Sequence, residues 1–109
     1  MKDDFVYTDH IILCLNKIQD YTNGLEQIDF SKSELIQDAV IRNIEIIGEA
    51  AKKISSDLKS QYPEIPWKEM SGMRDKLIHD YFGVDVEVVW KTVKEDIPYL
   101  KSLIQNIEK

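Results

Sequence analysis

The stretch SKSELIQDAVIRNIEIIGEAAKKISSDL, residues 31–58, decides the fold. Ile36, Val40, Ile44, Ile47, Ala51, Ile54 and Leu58 follow one another at steps of four, four, three, four, three and four. That recurrence keeps apolar side chains on one face of an α-helix. A half-buried strand needs alternation at every second position, and no segment of the chain alternates over a useful length, so strands are not expected. The start of the helix is marked by Ser31 as a cap, with Glu34 three residues on returning a bond to the Ser31 amide. Gly48 interrupts the pattern. A mid-helix glycine costs up to about 1 kcal/mol relative to alanine, and a close crossing by another helix is the expected reason for it.

Working outward, an upstream helix over residues 4–21 carries Ile11, Leu15 and Ile18 on one stripe and ends at the turn Asn23-Gly24. Downstream, Pro63 and Pro66 close the long helix, and Pro66 suits the first turn of a third one over residues 66–81. Phe82-Gly83 stops that helix. Asp85 then caps a fourth, running to about residue 107 with Val86, Val89, Trp90, Val93, Ile97, Leu100, Ile104 and Ile107 as its buried face. Pro98 falls inside the last pattern, removes one amide donor and crowds the Lys94 carbonyl, so a bend is expected there. The expectation is an all-α, four-to-five-helix up-and-down bundle, with residues 1–109 as a single domain.

Composition agrees. A chain of 109 residues with 43% apolar and 31% charged residues lies among globular proteins. No apolar run approaches the roughly 20 residues that span a bilayer, and the start MKDDFVYTDH lacks a basic-then-apolar signal pattern. A cytoplasmic location is expected, with no membrane partner. Cys14 is the only cysteine, which excludes an intrachain disulfide and a cysteine zinc cluster and suits a small buried hydrophobe. The net charge of −6, from 20 acidic and 14 basic residues, has the wrong sign for holding nucleic acid by general attraction. Any contact with RNA must be local.

Chemistry concentrates in RDKLIHDY, residues 74–81. Of the two histidines, His79 stands among Arg74, Asp75, Asp80 and Tyr81, whereas His10 has no comparable neighbours. A neutral histidine accepts a proton near pH 7, and an arginine offers a planar donor fork matched to phosphate oxygens, a pairing suited to phosphodiester cleavage. On a continuous helix Asp75 and His79 are one turn apart and nearly aligned, while the Cβ directions of Arg74 and His79 diverge by about 140°. Two geometries resolve this divergence: the arginine wraps around the helix, or a two-fold homodimer pools two copies of the motif. The second is preferred. Taken by spacing alone, a histidine near a helix C-terminus also has a simple explanation in the helix dipole, with Tyr81 and Phe82 as core aromatics.

The segment GMRDKLIHDYFGVD, residues 72–85, resembles the signature of the HEPN superfamily, and specifically of HepT-like proteins, in which arginine, four residues, histidine, one residue and tyrosine recur. RNIEIIGEAAKKIS, residues 42–55, and VWKTVKEDIPYLKSLI, residues 89–104, extend the resemblance over most of the chain. It implies a metal-independent ribonuclease without a cofactor, acting as a dimer and as the toxin of a toxin–antitoxin pair. The antitoxin would be a small MntA-like protein of nucleotidyltransferase fold. By the same carry-over His79 is the acid–base residue, Arg74 stabilises charge on the phosphate, Asp75 is the supporting polar residue, and Tyr81 is the position that the antitoxin modifies with AMP. Outside the motif, Lys76 and Arg42 are open to two readings, contacts to the RNA backbone or, more simply, ordinary surface residues. Two rival readings stay open: a non-catalytic helical partner or substrate-binding subunit of a nucleotidyltransferase, and a structural helical dimer whose motif is an interface.

Overall fold

The stripe on residues 31–58 forms α3 (Glu34–Lys53) and, after a break, α4 (Ser56–Gln61), following α1 (Lys2–Thr22) and α2 (Gln27–Lys32). The computed structural model describes residues 2–79 and 83–107, without the side chains of Lys2, Ile78, His79 and Val84. Val40, Ile44, Ile47, Ala51, Ile54 and Leu58 are all buried, with Ile36 packed at the margin of the core. The start of the helix differs from expectation. Ser31 belongs to α2, where its hydroxyl donates to the Ile28 carbonyl at 2.9 Å, and Ser33 is the cap of α3, accepting from the Ile36 amide at 3.2 Å. Both serines carry capping chemistry. Phe30, fully buried, pins the α2 turn to the core and leaves Ser33 as the residue in extended backbone. Gln37 then donates to the Phe30 and Ser31 carbonyls at 2.9 and 3.2 Å, satisfying acceptors that the corner would otherwise orphan.

Ile11, Cys14, Leu15 and Ile18 form the buried stripe of α1, which packs along α3. Burial pushes the Cys14 thiol up, against a smaller opposing effect of the Lys17 charge, so the thiolate is disfavoured. Past the end of α1, Gly24 takes a left-handed φ of 77°, the conformation expected of the Asn23-Gly24 turn. At the other end, buried Asp4 accepts from the Ser55 amide at 2.8 Å and the Ser55 hydroxyl at 2.6 Å. The same hydroxyl accepts from the Leu58 amide as the cap of α4. Burial raises the Asp4 carboxyl, and the two Ser55 bonds outweigh it and hold the group below the ordinary carboxylate value. This link fixes the antiparallel register of α1 on α3 and explains why the long helix breaks at Ile54.

The expected third helix is divided. It becomes α5 (Trp67–Ser71) and α6 (Met73–Leu77), separated at Gly72, and Pro66 sits just before the first helical residue. α6 stops at Leu77 and not at Tyr81, because the Leu77 carbonyl accepts the Asp85 amide at 3.1 Å. The chain turns back through a two-residue antiparallel bridge, β1 (Ile78–His79) with β2 (Gly83–Val84), pairing Ile78 with Val84 and His79 with Gly83. So short a bridge leaves no alternation to read, and the class remains all-α. Asp80, Tyr81 and Phe82 lie outside the described residues.

Asp85 caps α7 (Val86–Lys91) by accepting from the Val88 amide at 3.2 Å, as its position suggested. The bend expected from Pro98 takes the form of a π-helical turn, Thr92–Asp96, before α8 (Ile97–Ile104). The Ile97 amide donates to the Thr92 carbonyl, five residues back, and the widened turn gives the proline ring room beside the preceding carbonyls. Lys101 donates to the Gln19 side chain at 3.0 Å, tying α8 to α1. Among the described residues no helix is long and apolar enough to cross a membrane.

Candidate functional site

Gly48 decides where Arg74 stands. A Cβ on Gly48 would lie 3.2 Å from the Ser71 carbonyl oxygen and 3.3 Å from that of Met70. The absence of a side chain therefore lets the end of α5 rest on α3, the close crossing that the interrupted stripe called for. α6 begins two residues later and carries Arg74 and Asp75 along the edge of α3. Buried Met73 and Leu77 anchor the short helix on its other face.

The result is a cleft of about 470 Å³ between α3 and the α5–α6 segment, with Arg42, Glu45, Lys52, Ser71, Arg74 and Asp75 among its lining residues. Arg74 donates from Nε to Oε2 of Glu45 at 2.9 Å, and a terminal guanidinium nitrogen lies 3.8 Å from Oδ1 of Asp75. The Arg74 side chain is 49% exposed and that of Asp75 is 85% exposed, so the Glu45 bond is the one that orients the guanidinium. The outer edge of the donor fork remains available to an anion in the cleft.

The sequence-derived residues fall into three groups. Arg74, Asp75 and Arg42 line this one cleft. Lys76 lies elsewhere, in a groove between α5–α6 and α8 with Glu69, Asp96 and Tyr99. His79 is past the end of α6, with its backbone in the β1–β2 bridge, so the helical alignment of Asp75 with His79 and the 140° divergence of Arg74 from His79 do not arise. Tyr81 lies outside the described residues, as does the side chain of His79. Among the described residues no three His, Cys, Asp or Glu side chains converge as metal ligands would.

Glu45 is the residue the sequence reading missed. It is 29 positions from Arg74, beyond any local spacing rule. The one available signal was indirect: Glu45 precedes Gly48 by one helical turn, and a close crossing at Gly48 brings a second element to that level of α3.

A family model described as "Ribonuclease HepT-like" matches residues 11–107. A protein of Thermococcus cleftensis named "Probable ribonuclease HepT" is 52% identical over 103 residues, covering 94% of each chain. A Methanocaldococcus jannaschii protein named "Gamma-glutamylcyclotransferase and putative RNase" is 48% identical over 106 residues, which are 97% of this chain and 48% of that longer one. A second protein of that organism, named "Putative RNase", is 46% identical over 99 residues, 91% of this chain and 82% of the relative. No solved structure matches.

Proposed function

The chain belongs to the ribonuclease HepT-like family, and from that premise we propose that it is a metal-independent endoribonuclease, the toxin of a toxin–antitoxin pair, with Arg74 and His79 as its catalytic residues. The observation that carries the reading is the state of Arg74, an arginine on the wall of an open cleft, held at Nε by Glu45 with the rest of its fork exposed.

In the proposed step the ribose 2′-oxygen attacks the adjacent phosphorus and its proton passes to the neutral imidazole of His79. The bond from phosphorus to the 5′-oxygen breaks, leaving a 2′,3′-cyclic phosphate, and the departing oxygen takes up a proton from water, while the His79 imidazolium returns its proton to the solvent. Arg74 donates to the non-bridging oxygens as their charge grows. Asp75, close to the terminal guanidinium nitrogens, supports the orientation of the fork. Two copies meet at the motif, in keeping with the HEPN resemblance. The partner is an MntA-like nucleotidyltransferase that adds AMP to Tyr81, and the new phosphate charge excludes RNA from the site.

Purified protein is expected to cut RNA in the presence of a chelator. His79→Ala lowers the rate by about 10²–10⁴-fold, and Arg74→Ala by about 10²–10³-fold while remaining dimeric. Cleavage that survives His79→Ala sinks the assignment of the acid–base residue. The control by Tyr81 is read separately from the intact mass after coexpression with a nucleotidyltransferase antitoxin. Added AMP that persists in Tyr81→Phe places the modification elsewhere.

A further inference from the structure

Three cations line the α3–α6 cleft, and they are not equivalent. Lys52 pairs with Glu49 at 3.4 Å, and Arg74 pairs with Glu45 at 2.9 Å and approaches Asp75 at 3.8 Å. The three carboxylates of the cleft are thereby engaged with two of the cations. Arg42, exposed on the same wall, has no carboxylate within ion-pair range among the described residues. It lies one helical turn before Glu45, a rise of about 5 Å along α3 from the residue that holds Arg74. In a chain of net charge −6, an exposed guanidinium without a paired carboxylate, lining the same cleft as Arg74, is the place where an anionic strand finds local attraction.

We propose that Arg42 forms a second phosphate subsite, binding the RNA phosphate next to the one that Arg74 contacts, so that the α3–α6 cleft holds two consecutive phosphates of a single strand. The proposal rests on the ribonuclease reading and adds to it the path of the strand. That path runs along the wall of α3 and leaves out the Lys76 groove, where Glu69 and Asp96 repel phosphate. Arg42 binds and does not take part in bond breaking, so its loss acts on affinity and leaves the chemical step alone.

The test compares two losses of one positive charge on opposite sides of α6. Binding of a labelled single-stranded RNA to the full chain carrying His79→Ala is measured over a salt series, alone and with Arg42→Ala, Arg42→Lys or Lys76→Ala. Arg42→Ala is expected to weaken binding about fivefold and to reduce the slope of log affinity against log salt by about 0.7, the contribution of one phosphate contact on a single strand. Arg42→Lys keeps the slope, and Lys76→Ala leaves affinity and slope unchanged. In active protein Arg42→Ala raises KM by a similar factor at constant kcat. Equal losses from Arg42→Ala and Lys76→Ala overturn the subsite, because net charge then accounts for both, and so does an unchanged slope in Arg42→Ala. Failure of the wild-type chain to cut any RNA overturns the ribonuclease reading instead, and the subsite with it.

Discussion

At the scale of single residues, the bond between Arg74 and Glu45 links a residue legible in the sequence to one that was not. Both side chains are partly exposed, so the pair contributes on the order of 0.2–1 kcal/mol to stability. That is too little to matter for the fold and enough to fix the direction of a guanidinium. The two features of Glu45, its acceptor oxygen and its charge, are separable. Glu45→Gln retains an acceptor for Nε and removes a negative charge from the proposed RNA-binding cleft, so kcat should hold while KM falls. Glu45→Ala removes the acceptor, and kcat should fall about tenfold, the cost of a loosely held catalytic group, with the fold intact. Steady-state cleavage of one RNA by the three proteins decides it: an alanine variant with wild-type kcat makes Glu45 idle, and a glutamine variant as slow as alanine makes the charge, not the bond, responsible. Arg74 and His79 stood out as candidates because a phosphate-matched guanidinium and a group that titrates near neutrality share one short segment. Glu45 is one of many acidic residues on helices, and only the tertiary crossing distinguishes it.

At the scale of elements, what the sequence revealed were features whose cause is local. The stripe of α3, the Asn23-Gly24 turn with its positive φ, the Asp85 cap and the disturbance before Pro98 each depend on residues within a turn or two. Gly48 is the exception that points outward, since its unfavourable helix propensity was explicable only by a neighbour, and the Met70 and Ser71 carbonyls are that neighbour. Where the reading failed, longer-range bonds chose between local possibilities. Burial of Phe30 moved the cap from Ser31 to Ser33, the Asp4–Ser55 bonds broke the long helix at Ile54, and the Asp85 amide closed α6 at Leu77. This last choice bears directly on the site. Because α6 ends two residues before His79, no helical phase relates Arg74 to His79, and a homodimer can no longer be argued from their divergence on one helix.

For the whole molecule, the open choice is whether the arginine and the histidine of one proposed catalytic site come from one chain or from two. The proposed homodimer allows either arrangement, and mixing two inactive variants separates them. A dimer of one Arg74→Ala chain and one His79→Ala chain still holds one intact arginine and one intact histidine, on different subunits. If each site takes its arginine from one chain and its histidine from the other, the mixed dimer has one complete site and one doubly impaired site. Random reassortment of equal amounts makes half of the dimers mixed, so about a quarter of wild-type activity should return in a two-fold assembly. If each site is built within one chain, mixing restores nothing. The measurement is the RNA cleavage rate of the two variants, unfolded together and refolded, against each refolded alone. Restored activity shows that two chains build the site, whereas its absence, with mixed dimers present, confines catalysis to the Arg74 and His79 of a single chain and leaves the second copy a supporting role.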